Sequence, residues 1–166
     1  MTAAGPALTL TPMAKILVID DDESIVGLLS LRLTEAGHTV VAALDGSSGP
    51  MIAAREKPDL IILDYNMPAA NGAKVHERLR GSGFTVNTPI VFLTATPIGE
   101  IIGQVKDDNH TRFLQKPVDF AYLDKTIAAF LSPSAPAAKP APAPATEPYD
   151  PDDPNSSGGG EVLDLD

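Results

Sequence analysis

The chain has no cysteine, which excludes disulfides and thiolate metal sites and fits a reducing cytoplasm. No apolar run approaches the roughly 20 residues that a membrane span needs. Residues 1–13 lack a basic side chain, and Pro6 and Pro12 interrupt their apolar stretch, so no export signal is expected. Basic residues are few, 12 against 22 acidic, and they form no cluster. Such a surface matches a phosphate backbone poorly, so neither a membrane nor a nucleic acid is an expected partner. His38, His76 and His110 stand far apart in the sequence. With no thiol to join them a zinc site is not expected, and all three read as surface residues. No internal repeat is present.

What remains is a chain of 166 residues, 43% hydrophobic, enough for one core with extensions. The net charge of −10 is uneven: residues 14–131 hold 15 acidic and 11 basic side chains, whereas residues 132–166 hold seven and one. Half of the 16 prolines also fall in 132–166, in an alternating Ala/Pro run that closes with glycines and Val162-Leu163-Asp164-Leu165. The expected organisation is a disordered leader at 1–13, a folded domain at 14–131 and a disordered Pro/Ala-rich acidic tail at 132–166.

The domain is arranged around Leu60, Ile61, Ile62 and Leu63, which run directly into Asp64 and then Tyr65-Asn66-Met67-Pro68. Four aliphatics without alternation suit a strand covered on both faces, and Pro68 with Asn71-Gly72 marks a loop before a helix. The same grammar recurs along the chain. Ile16-Leu17-Val18-Ile19 ends in Asp20-Asp21-Asp22-Glu23, with Ile25, Leu28, Leu29 and Leu33 following at helical spacing. Asp22 or Ser24 is the expected cap. A less apolar edge strand is expected at 39–44, turned by Asp45-Gly46, and a helix at 48–56 with Pro50 in its first turn. Residues 73–80 predict a third helix, Ile90 to Leu93 a strand delivering Thr94, and 112–115 a short strand leading to Lys116-Pro117. Asp119 then caps a last helix with Leu123 and Ile127 on one face. Residues 98–105 predict only weak helix, because Gly99 and Gly103 each cost about 1 kcal/mol relative to alanine.

Five strands alternating with five helices predict an α/β fold of flavodoxin-like (βα)5 type, a doubly wound parallel sheet in the order 2-1-3-4-5. Ligands in such folds bind beyond the carboxyl ends of strands one and three. That crevice gathers Asp20, Asp21 and Asp64, with Thr94 and Lys116 at its rim. Crowded carboxylates raise one another's pKa unless a cation intervenes, and a hard, oxygen-seeking Mg²⁺ is the expected cofactor.

These ordered pieces resemble the receiver domain of bacterial two-component response regulators over about residues 15–131. They are Ile-Asp-Asp-Asp-Glu, Leu-Asp-Tyr-Asn-Met-Pro with Asn71-Gly72, Phe-Leu-Thr-Ala and Phe-Leu-Gln-Lys-Pro. The resemblance implies that Asp64 accepts a phosphoryl group from a histidine kinase or histidine phosphotransfer protein. It further implies that Asp20, Asp21 and the Asn66 backbone carbonyl join Asp64 around Mg²⁺, that Lys116 binds phosphate, and that Thr94 and Phe113 carry the switch. The Lys116-Pro117 peptide would be cis, and a downstream protein would dock on the face of helix four, strand five and helix five. Catalysis would be limited to the domain's own phosphorylation and dephosphorylation. With only residues 132–166 following, a single-domain, chemotaxis-regulator-like protein without an output domain is expected. Residues 107–112 depart from the family's usual Gly-Ala-Asp-Asp-like stretch.

Other readings fit less well. A phosphatase of the haloacid dehalogenase type would place a second aspartate where Asn66 stands. A flavin mononucleotide binder would need a phosphate-cradling loop where Asp20-Asp21-Asp22 stand. The alternative left open is a pseudo-receiver that binds its partner without phosphorylation.

Overall fold

The computed structural model describes residues 13–132, Asp107 excepted; the expectations for residues 1–12 and 133–166 lie outside that range. Five strands, β1 (Lys15–Ile19), β2 (Thr39–Ala43), β3 (Leu60–Asp64), β4 (Ile90–Thr94) and β5 (Thr111–Gln115), form one parallel sheet in the order β2-β1-β3-β4-β5. Five helices join them: α1 (Glu23–Glu35), α2 (Gly49–Glu56), α3 (Gly72–Arg80), α4 (Ile98–Ile101) and α5 (Phe120–Leu131). The fold is the expected flavodoxin-like (βα)5 arrangement.

Alternation along the strands splits the core into two layers. Ile16, Val18, Leu60, Ile62, Val91 and Leu93 pack on one face against Val26, Leu29 and Leu33 of α1 and Leu123 and Ile127 of α5. Leu17, Ile19, Ile61, Leu63, Ile90 and Phe92 pack on the other against Ala53, Val75, Leu79 and Ile101. The buried stripe of α1 differs from the one expected by one step: Val26 turns inward and Leu28 is exposed. The sheet sees residues 26, 29 and 33, an i, i+3, i+7 set, and Leu28 lies off it.

Local chemistry sets the boundaries. Asp22 caps α1 by accepting the Ser24 and Ile25 N–H groups, and Asp119 caps α5 by accepting that of Tyr122. Asp45 accepts the N–H groups of Ser47 and Ser48 and so makes the turn into α2. After α1 the chain turns through Gly37 at φ +93°, a left-handed conformation natural to glycine. As the two glycines predict, α4 is a single turn followed by a 3-10 turn over Ile102–Gln104. The Lys116-Pro117 peptide is cis.

Two sequence expectations are corrected. His38 and His76 are buried, and only His110 is exposed. His38 sits under the amino end of β1, where its Nδ1 accepts the Ala14 N–H at 3.3 Å. His76 belongs to the buried stripe of α3 with Gly72, Val75 and Leu79. His76 lays its ring against Phe92, and each imidazole finds a polar partner where it is buried, which a lone histidine in a polar stretch of sequence does not reveal.

Candidate functional site

The carboxyl ends of β1 and β3 are adjacent, because Ile19 pairs with Leu63 across the two strands. Each strand therefore releases its next residue, Asp20 or Asp64, into the same crevice, and both are buried, 1% and 3% exposed. Asp21 follows on the exposed rim. One carboxylate oxygen from each of the three lies within 4.8 Å of the others. Lys116, delivered after β5, places its Nζ 3.4 Å from both Asp20 Oδ2 and Asp64 Oδ1.

The electrostatics are unbalanced. Burial, opposed by the Asp22 N–H bond and reinforced by Asp64, raises the pKa of Asp20 above the usual carboxylate value. Three carboxylates against one ammonium leave a deficit of two positive charges. An all-oxygen donor set with that deficit, and with no sulfur or imidazole, fits a hard divalent ion such as Mg²⁺.

Two backbone features hold the nucleophile-like carboxylate in place. The Asn66 N–H donates to Asp64 Oδ1 at 3.1 Å. Among the described residues, both hydrogen bonds to Asp64 fall on Oδ1, one from Asn66 and one from Lys116. Gly72 opens α3 against this loop so closely that a Cβ there would lie 2.7 Å from Tyr65 Cα and 2.9 Å from the Asp64 carbonyl oxygen.

Thr94 lies at the carboxyl end of β4 and is fully buried, yet its hydroxyl faces its own loop. Thr94 Oγ1 is 3.0 Å from the Thr96 carbonyl and 3.3 Å from Asn66 Oδ1, and it accepts the Thr96 N–H. The Asn66 amide also donates to Thr96 Oγ1 at 2.8 Å and accepts the Ala95 N–H at 3.0 Å. Asn66, which sequence reasoning valued for its carbonyl, thus uses its side chain to join the loops after β3 and β4. Phe113 is half-buried, with its ring stacked on Phe92 at 5.1 Å and 6°.

A second cluster went unnoticed in the sequence. Arg80 grips Asp108 through Nε at 2.7 Å and donates to the Thr85 and Thr88 carbonyls, while His76 Nε2 lies 3.0 Å from Thr111 Oγ1. Hydrogen bonds from Arg80 and Thr111 outweigh burial and hold Asp108 below its usual value, whereas burial lowers His76. The available signal was spacing, since residues 72, 75, 76 and 79 form one helical stripe with Arg80 four beyond His76.

No helix among the described residues is long and apolar enough to cross a membrane. Comparison with known proteins completes the picture. Residues 16–128 match the response regulator receiver domain. The transcriptional regulator RpaA of Synechocystis is 37% identical over 121 residues, 72% of this chain and 49% of RpaA. Protein PilH of Pseudomonas aeruginosa is 33% identical over 72% of this chain and 99% of its own length. The chemotaxis protein CheY4 of Vibrio cholerae superposes with a TM-score of 0.65 at 35% identity, over 69% of this chain and 96% of CheY4. The chain spans about half the length of RpaA and 23% of the response regulator PleD of Caulobacter vibrioides. Sheet order, acidic crevice and matched residues agree: the chain belongs to the response regulator receiver domain family of two-component systems.

Proposed function

We propose that the chain is a phosphorylation-activated switch of a two-component phosphorelay. Asp64 accepts the phosphoryl group from a phosphohistidine on a histidine kinase or a histidine phosphotransfer protein. The observation that carries this reading is Lys116 Nζ at 3.4 Å from both Asp20 and Asp64 within a carboxylate cluster. A single ammonium shared by two buried carboxylates is poised for a further anion rather than committed to either.

In the transfer, an Asp64 carboxylate oxygen forms a bond to phosphorus as the phosphorus–nitrogen bond to the donor imidazole breaks, and that nitrogen keeps the electron pair. Oδ1 is occupied by the Asn66 N–H and Lys116, so Oδ2 is the attacking atom. The Asn66 N–H fixes the carboxylate plane, and Lys116 meets the incoming phosphoryl oxygens. Asp20, Asp21, Asp64 and the Asn66 backbone carbonyl would hold Mg²⁺, which when bound supplies charge neutralisation at the phosphoryl oxygens. The chain acts only on itself, in its own phosphorylation and in the later hydrolysis of that bond, and so is no enzyme toward a separate substrate.

The phosphoryl group brings negative charge and acceptor oxygens beside Thr94. Thr94 then exchanges its bonds with Thr96 and Asn66 for one to the phosphoryl group, and Phe113 follows, biasing an existing two-state equilibrium. A downstream protein reads the change on the face of α4, β5 and α5. RpaA is described as DNA-binding, but few basic residues favour a protein partner here. We place the folded domain at residues 14–131 and the protein in the cytoplasm.

The test is intact mass after treatment with acetyl phosphate and Mg²⁺. One phosphoryl adduct is expected, absent in Asp64→Asn. Its persistence in that variant would assign another acceptor, and no adduct in the parent chain would overturn the reading.

A further inference from the structure

We propose that His76 is a positioning residue for Phe113, seating its ring through Phe92 and fixing the start of the strand that carries it. The inference rests on the reading of Phe113 as the switch aromatic. His76 makes no hydrogen bond or ion pair with Asp20, Asp21, Asp64 or Lys116, and the phosphoryl chemistry makes no use of it.

The apolar half of the argument is a row of rings. Phe92 is wholly buried in β4 and pairs directly with Phe113 of β5. Phe113 stacks on Phe92 nearly parallel, at 5.1 Å and 6°. The His76 imidazole, 1% exposed, packs on Phe92 at 5.6 Å and 38°. Tyr65 meets Phe92 edge-on at 6.0 Å, with its hydroxyl hydrogen-bonded to Gln104 after α4. Phe92 therefore cannot shift to admit a new Phe113 placement without disturbing His76 or Tyr65.

The polar half reaches the same strand. His76 Nε2 lies 3.0 Å from Thr111 Oγ1 and 3.4 Å from Asp108 Oδ2. Thr111 donates its only hydroxyl proton to Asp108 Oδ1 at 2.8 Å and accepts from Arg80 Nη2 at 3.1 Å. Both atoms facing Nε2 are thus acceptors, so Nε2 carries the imidazole proton. Burial, helped by Arg80 and opposed by Asp108, lowers the pKa of His76 and keeps the ring neutral near pH 7. Thr111 and Phe113 are two residues apart on β5 and so share a face of the sheet. A donor bonded to Thr111 fixes the strand beneath Phe113, while the same ring backs Phe92. No other natural side chain offers both an aromatic face and a neutral donor of this reach, apart from the bulkier tryptophan and tyrosine.

The test uses the full chain with 4-fluorophenylalanine at position 113, followed by ¹⁹F NMR without phosphodonor. His76→Phe keeps a ring on Phe92 and loses the donor; His76→Gln keeps a donor toward Thr111 and loses the ring. Each is expected to enlarge the share of Phe113 in a second environment roughly threefold, the factor expected for one lost hydrogen bond in His76→Phe and one lost aromatic contact in His76→Gln. Leu33→Ala, on the opposite face of the sheet, is expected to lower stability and leave that share unchanged, which separates positioning from general loosening. Thr111→Val removes the hydroxyl without altering α3 and replaces His76→Phe should that variant not fold. Wild-type populations in either arm overturn the proposal. A parent chain that forms the Asp64 adduct without any change in its ¹⁹F signal would instead fault Phe113 as the switch aromatic, and the resting populations would still decide the role of His76.

Discussion

Lys116 and Asp64 face each other at 3.4 Å, longer than the about 2.7–2.9 Å of a close charge-assisted hydrogen bond. The same ammonium stands equally far from Asp20, so among the described residues one ammonium is divided between two buried carboxylates. Gathering like charges in this way sets a cost against the stability of the fold.

Asp20 measures the penalty. Its raised pKa means that the folded state opposes ionisation of this carboxylate, so near neutral pH the charged group works against folding. Asp20→Asn is expected to raise stability in chelator by about 1 kcal/mol, read from the urea midpoint. Added Mg²⁺ should stabilise the parent by about 2.7 kcal/mol at a hundredfold excess over Kd, and Asp20→Asn by much less. An unchanged or lower midpoint in chelator would refute the penalty.

The buried imidazoles set an acid limit. Burial lowers the pKa of both His38 and His76 from 6.5. Below that value the unfolded chain takes up protons that the folded chain refuses, so stability falls with pH until the depressed folded values are reached. The urea midpoint should drop between pH 7.5 and 5.5, and less so in His76→Gln. Asp20 acts with the opposite sign at pH values above 3.8, so an Asp20→Asn background isolates the histidines. A flat profile there would refute their burial in neutral form.

Most of the architecture was legible because parallel strands covered on both faces leave unbroken apolar runs, and because each run ends in the residue that the crevice uses. Leu63 before Asp64 and Leu93 before Thr94 give both strand and site. Capping was legible for the same local reason at Asp119, and at α1 to within two candidates, Asp22 and Ser24, of which Asp22 is the cap. The cluster around Arg80 was not, since Asp108 and His76 are 32 positions apart and meet only when β5 docks beside β4. Nor did any local pattern show that the Asn66 side chain would reach Thr96.

Arg80 is expected to matter far more than its surface counterparts. Its side chain is 12% exposed, and its guanidinium ties α3 to Asp108 and to two carbonyls of the following loop. Removing it takes the cationic partner from Asp108, which keeps neutral donors in Thr111 and the His110 N–H, and takes a donor from each of the two carbonyls. Arg80→Ala should cost about 3 kcal/mol, whereas Arg55→Ala, which removes a side chain 70% exposed, should cost under about 1 kcal/mol. Chemical denaturation checks both, and a cycle with Asp108→Ala isolates the pair. Equal losses at 80 and 55 would remove the basis for treating this cluster as structural.

Two glycines test whether close packing at the crevice is separable from helix strength. A Cβ on Gly99 meets nothing within 4 Å, so Gly99→Ala in α4 should gain about 0.5–1 kcal/mol from reduced backbone entropy. At Gly72 the same methyl would press on Tyr65 Cα and the Asp64 carbonyl oxygen. Those are backbone atoms of the end of β3, which cannot swing aside as a side chain can. α3 would have to lift, at about 2 kcal/mol, and the strand end holding Asp64 would move with it. Gly72→Ala should therefore lower both the thermal midpoint and the rate of adduct formation from acetyl phosphate, while Gly99→Ala raises the midpoint and leaves that rate alone. If Gly72→Ala loses stability but keeps the parental rate, the α3–β3 contact supports the fold without positioning the acceptor.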